Sequence, residues 1–252
     1  MKKLFAILLV FMLCAGCALA EDDEATDSKF NTLIEDGEFI IQVDAGDDLP
    51  WMADEMVQDD TVVKLAFMDN LEGTFVARYA PVGDGDVTVG VRHYMGIACD
   101  EMMTWDLHVE NGAVQQVIGG SYAVSPADEE VDTYLVGEWL EAETQFATMN
   151  IEKNPEKGWD VVIVSPVSHG AFVFKGSLLY DCERDCFVYS RGKFWDIDGE
   201  YEEGASLGEA TLPGTFGTLT FGEGENLTLE WYDEDRPVEG VVFVPNVAEA
   251  AN

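Results

Sequence analysis

Five runs between Gly137 and Trp195 restrict this chain more than anything else in it. They read G-E-W, A-T-M-N-I-E, W-D-V-V-I-V, A-F-V-F-K-G-S-L-L-Y and C-F-V-Y-S-R-G-K-F-W. Each is short, rich in β-branched or aromatic residues and closed by turn residues, which is the signature of an antiparallel meander. The pattern continues through Thr215–Phe221, Leu227–Trp231 and Val241–Val244, giving about eight strands over residues 133–245 and no helical stretch. Parity assigns one interior face: Met149 and Ile151; Val161 and Ile163; Phe172, Phe174, Leu178 and Tyr180; Leu227, Leu229 and Trp231. Eight short antiparallel strands leave no exposed edge if they close into a small up-and-down barrel.

Residues 34–125 alternate in the same way. Phe39, Ile41 and Val43 share a strand face, as do Phe75, Ala77 and Tyr79, then Val87, Val89 and Val91, then Trp105, Leu107 and Val109. Thr74, Arg78, Thr88, Arg92, Asp106 and His108 are expected to point to water. Turns fall at Asp69-Asn70, at Pro81 to Gly85 and at Asn111-Gly112, the last a two-residue hairpin signal because both positions accept positive φ. Six or seven strands with turns at this spacing predict an immunoglobulin-like β-sandwich, although the usual inter-sheet cysteine pair is missing and Cys99 stands alone. The acidic, unpatterned residues 126–132 read as a linker between the blocks, and residues 246–252 as a tail. The fold class expected is therefore all-β, a sandwich followed by a barrel.

Ahead of the sandwich, residues 1–20 combine Lys2 and Lys3, an apolar run and the small residues Ala18-Leu19-Ala20, the layout of a secretory signal peptide; residues 21–33 form an acidic leader. The expectation is a secreted, extracellular protein. Retention at the cell surface through a lipid on Cys17 of Ala15-Gly16-Cys17 is the alternative. Loss of two lysines and no acids would take the formal charge from −37 to −39. Nucleic acid and anionic membrane are thereby disfavoured as partners, since both need clustered Lys and Arg.

Three resemblances accompany these patterns. The stretch G-T-F-V-A-R-Y-A-P-V-G-D-G-D-V-T-V-G-V-R-H-Y resembles the middle of chagasin-type cysteine-protease inhibitors, which are immunoglobulin-like domains. Where that family carries its inhibitory loop, this chain has Asp47-Asp48-Leu49-Pro50-Trp51 and shares only the tryptophan. Gly137-Glu138-Trp139 resembles the G-x-W of lipocalins and their calycin relatives, which implies a tryptophan plugging the barrel's closed end, with Arg236 placed to pack over it. The leader and two blocks together resemble exported proteins of gut-type Gram-positive bacteria, a likeness of layout without an implied activity.

Candidate chemistry is sparse. Cys182 and Cys186 flank Glu183-Arg184-Asp185 in a hairpin and are expected to form a disulfide, with Cys99 left as a buried thiol. His93, His108 and His169 are too scattered for a metal site, and no zinc-protease, α/β-hydrolase or β-lactamase string occurs. Asp196, Asp198 and Glu200 come nearest to a calcium loop but fall short of its full spacing, so no cofactor is expected. Trp139, Phe172, Phe174, Tyr180 and Trp231 could line a cavity for a small apolar ligand, yet an eight-stranded barrel is barely wide enough for its own side chains and a filled core is favoured. The function expected is a non-enzymatic binding or adhesion module whose partner is an extracellular protein, a glycan or a small apolar ligand. A secreted protease inhibitor acting near Trp51 is the alternative.

Overall fold

The computed structural model describes residues 29–46, 51–199, 201–202, 205–222, 226–235 and 240–246. The expected export signal with Cys17, the leader up to Ser28, Asp47 to Pro50, Glu200, Arg236 and the expected tail beyond Asn246 lie outside the described residues. The described residues form sixteen strands and one helix.

The first eight strands are β1 (Phe30–Glu35), β2 (Glu38–Asp44), β3 (Trp51–Met52), β4 (Val63–Leu71), β5 (Thr74–Pro81), β6 (Gly85–Met95), β7 (Ala98–Glu110) and β8 (Ala113–Val124). They build two sheets ordered β1-β2-β5-β4 and β3-β6-β7-β8. Strands one to seven thus follow the ABED and CFG order of a constant-type immunoglobulin domain, and β8 is an extra strand on the outer edge of the second sheet. Strand pairing begins at Phe30, four residues before the expected start of the block.

All twelve residues assigned inward by alternation are buried, and they pack with Trp51, Ala53 and Val114 into one core between the sheets. The missing inter-sheet cystine is replaced by apolar contact and by one buried hydrogen bond, from the Tyr79 hydroxyl to the Gly90 carbonyl. The Asn111-Gly112 hairpin takes the positive φ values its sequence demands, 56° and 74°. Arg92 is the exception to the outward set. It is 9% exposed because the barrel docks over it, and its guanidinium donates to Glu183 at 2.9 and 3.1 Å.

Strands β9 (Gly137–Glu141), β10 (Thr148–Lys153), β11 (Trp159–Val167), β12 (Gly170–Asp181), β13 (Cys186–Asp198), β14 (Leu212–Phe221), β15 (Leu229–Asp233) and β16 (Val241–Pro245) pair each with the next, and β16 returns to β9 to close the barrel. The expected interior is found with one correction. Leu227 precedes β15 and is 41% exposed, while Leu229 and Trp231 do face inward.

A helix, α1 (Asp128–Leu135), spans the end of the expected linker and the first residues of the barrel block, which corrects the reading of residues 133–245 as free of helix. Val131 and Leu135, one turn apart, are fully buried in the barrel's core cluster, and Asp128, Glu129 and Glu130 in the first turn suit the positive end of the helix dipole. The Trp139 indole donates to the Leu135 carbonyl at 3.0 Å, and that of Trp159 to Asp132 at 2.6 Å, so the connector is anchored to the barrel.

The two units meet where the β6–β7 hairpin rests on β12 and β13. Ala98, Cys186 and Val188 form a small buried cluster there, flanked by Ile97 and Leu179. Asp181, 1% exposed, ties this junction together. It accepts the amides of Glu183 and Arg184, each at 3.0 Å, and that of Cys99 at 3.3 Å.

Candidate functional site

Edge strands expose unpaired N–H and C=O groups, and proteins usually blunt them by shortness, charge or bulges. Of the four edges of the sandwich, β3 is two residues long, β4 carries Lys64, Asp69 and a register shift, and β1 carries Glu35. The twelve residues of β8 include no charged side chain, although 25% of the whole chain is Asp, Glu, Lys or Arg. The run in β14 is equally uncharged, but it is paired on both sides inside the barrel wall.

Two register shifts interrupt the first half of β8, where Gln115 and Ile118 have no partner on β7. From Gly119 to Val124 the pairing is regular, Gly119 opposite Asp106 through Val124 opposite Glu101. Val117, Ile118, Tyr122 and Val124 are 41%, 50%, 54% and 54% exposed. The Tyr122 ring meets Phe30 edge-on at 6.1 Å, and its hydroxyl donates to Glu101 at 3.0 Å. Partial burial, aided by that carboxylate, pushes the phenol up to about 12, so it is a neutral donor at physiological pH.

Gly120 fits β8 closely to its neighbour. A Cβ there would lie 2.5 Å from the Thr104 carbonyl oxygen, a backbone atom that cannot swing away. Gly120→Ala is therefore expected to cost about 1–3 kcal/mol by displacing the strand. Chemical denaturation reads that loss, and an unchanged midpoint would show that β8 shifts freely.

The C-terminal end of β8 runs into a groove of about 300 Å³ between the two units. Val124, Met95 and Leu179 give it an apolar side, Trp159 and Tyr180 also line it, and Asp100, Asp128 and Lys157 give it two acidic groups and one basic group. A second hollow, about 280 Å³, lies elsewhere, at Glu38, Ala66, Phe67 and Arg78.

The residues singled out from sequence are placed differently. Trp51 is 1% exposed inside the sandwich, paired with His93 across the sheet, packed on Phe30 and covered by the Lys29 ammonium 4.6 Å above its ring. It offers no face to a partner. In the barrel, Phe174 touches Tyr189, Phe194 and Trp231 at centroid distances of 4.9, 4.8 and 5.2 Å, and Phe172 lies 5.0 Å from Phe194. Trp139 lies against the helix, and Tyr180 packs on Phe187 at 5.4 Å. Phe172, Phe174, Tyr189, Phe194 and Trp231 thus form one connected aromatic group inside the barrel.

Cys182 and Cys186 are not bonded. Asp181, not Cys182, stands opposite Cys186 in the β12–β13 register, so the turn spans four residues instead of three. The Asp181 carboxylate fixes that length by accepting two amides of the turn. Cys182 is thrown off the end of the ladder, and its sulfur lies 3.8 Å from that of Cys99. Cys186 turns inward instead, and burial pushes its thiol up to about 11.

Asp196 and Asp198 are exposed and lie near the end of β13, in extended strand rather than in a liganding loop. Among the described residues no three Asp, Glu, His or Cys side chains converge on a point that could hold a metal ion. His93 and His108 each pair with one carboxylate, Asp100 and Asp86, both at 2.6 Å.

Sequence reasoning missed the outer edge formed by β8, the α1 helix, the Asp181 turn and a buried polar group in the barrel. There the Tyr189 hydroxyl donates to Asp233 at 2.6 Å and accepts from the Trp231 indole at 2.9 Å. Only β8 had left a signal, its uncharged stretch in a strongly acidic chain. No family model matches this chain, and neither does any curated protein or solved structure.

Proposed function

We propose that this protein is an exported binding module, acting without catalysis, that adds an extended peptide segment of a partner protein to the edge of β8. The observation that carries the proposal is the uncharged, bulge-free run Gly119–Val124 on the rim of a sheet. In strand addition, main-chain hydrogen bonds supply affinity and neighbouring side-chain pockets supply selectivity. A segment laid along Gly119–Val124 has its end directed to the groove at Met95, Val124 and Leu179, where an apolar side chain would fit.

Charge complementarity sets the partner's chemistry. The surface around the neutral strand belongs to a chain of formal charge −37, so a segment flanked by Lys or Arg is drawn in and an acidic one repelled. Inhibition of a protease through loops near Trp51 is the other function the sequence suggested; Trp51 itself is internal, and Asp47 to Pro50 lie outside the described residues. The layout of residues 1–20 supports export.

Selection from a displayed library of short peptides tests the reading, followed by fluorescence anisotropy with the recovered sequences. Alternating apolar residues between basic flanks are expected, with affinity falling as salt rises. Tyr122→Lys and Val124→Lys should each weaken binding about tenfold or more, because a lysine on an edge opposes strand addition. Binders that both variants leave unaffected, or enrichment of acidic peptides, would refute it.

A further inference from the structure

We infer that Cys99 and Cys182 form a redox pair, which closes to a disulfide joining the sandwich to the barrel when the protein meets an oxidising low-molecular-weight disulfide such as glutathione disulfide. The two sulfurs are 3.8 Å apart, and the Cys182 amide donates to the Cys99 carbonyl at 2.7 Å, so both backbones are already held together. Closing the gap to a bond of about 2.05 Å takes side-chain rotation only. Asp181 steadies both partners, accepting the Cys99 amide on one side and the turn that carries Cys182 on the other.

The two thiols differ in the way an exchange reaction uses. Cys182 is partly accessible, and its hydrogen bond with Cys99 lowers it below the ordinary thiol range. Cys99 is fully buried, and the same bond together with burial pushes it well above that range. Cys182 is thus the attacking thiolate and Cys99 the resolving thiol. The Cys182 thiolate bonds to one sulfur of the oxidant and expels the other half as a thiolate. Cys99 then passes its proton to that thiolate as its sulfur attacks the Cys182 sulfur, expelling the second half, which takes the proton Cys182 had released. Two cysteine thiols are oxidised to one cystine, and one oxidant disulfide is reduced to two thiols. Cys186 takes no part, being held in the apolar cluster with Ala98 and Val188.

The resulting bond spans 83 residues, far more than the hairpin bridge the sequence suggested, so its effect on the unfolded chain is correspondingly larger. The test is to incubate the full chain with glutathione disulfide, cap the remaining thiols, and map peptides by mass spectrometry without reduction. One Cys99–Cys182 linkage, lighter by two hydrogens, is expected, with Cys186 capped. The melting midpoint should rise on the order of 10 °C and return on reduction. Cys186→Ser should leave both results intact, whereas Cys182→Ala should abolish both. A Cys182–Cys186 linkage, a lasting mixed disulfide with glutathione on Cys182, or capping of Cys99 and Cys182 together with Cys186 would each overturn the inference. The peptide map reads the wild-type chain directly and does not depend on how any variant folds.

Discussion

Phe174→Ala is expected to be among the most damaging single changes in this protein, lowering the unfolding free energy by about 3–5 kcal/mol. The ring is fully buried and meets Tyr189, Phe194 and Trp231, so its removal opens a cavity walled by rigid aromatic groups that cannot collapse into it. Two glycines are shaped around it. A Cβ at Gly176 would lie 3.0 Å from the tip of the ring, and one at Gly192 only 2.6 Å from its edge. At Gly176 nothing else stands within 3.5 Å of that Cβ, so the glycine is required by the ring alone. Gly176→Ala should therefore cost about 1–2 kcal/mol in the native protein and almost nothing in the Phe174→Ala background. A double-mutant cycle by urea denaturation measures this, and equal costs in the two backgrounds would show that the glycine answers to something other than the ring.

Asp181→Ala should cost about 2–4 kcal/mol, because it strips an acceptor from the amides of Cys99, Glu183 and Arg184 at once. The loss should concentrate at the junction of the two units. Hydrogen exchange ought to accelerate first in the Cys182–Asp185 turn and at Ala98–Asp100, before the distant strands of either unit. Asp181→Asn keeps one oxygen for the turn but sets an amide group against the Cys99 N–H, so it should be milder for the turn than for Cys99. If exchange rises evenly along the chain, the carboxylate is not the element that joins the units.

Most of the fold was legible because period-two alternation is a local signal that tertiary packing reinforces. Phe39, Ile41 and Val43, or Met149 and Ile151, face a core in either block for the same reason they alternate in sequence. Asn111-Gly112 was legible because few other pairs tolerate its backbone. The misses have a common cause in contacts between segments far apart in the chain. Arg92 looks like a water-facing strand residue until Glu183, 91 positions later, comes to meet it. Val131 and Leu135 make a single buried turn of helix, too short for a periodic pattern to stand out among acids. The cysteine pairing turned on one residue of loop length, set by Asp181 and carrying no mark in the spacing of Cys182 and Cys186. The site is less legible than the fold because a free edge is a property of sheet order, which a strand's own sequence does not encode.

The pairing of β16 with β9 has a consequence for how the chain matures. Phe243 lies beside Glu141 and Pro245 beside Trp139, so the seam of the barrel joins positions about a hundred residues apart, while every other seam joins neighbours. The sandwich has all its strands once Val124 has been made, and it can fold while synthesis continues. The barrel is denied that head start. Until its last strand arrives, β9 and β15 remain open edges beside an uncovered aromatic interior, and closing so long a loop is the slow kind of step. Acidic residues such as Glu138 and Glu141 on β9, and Glu230 on β15, lie along those edges. Like charge would then keep two half-made barrels from joining each other before each has closed on itself.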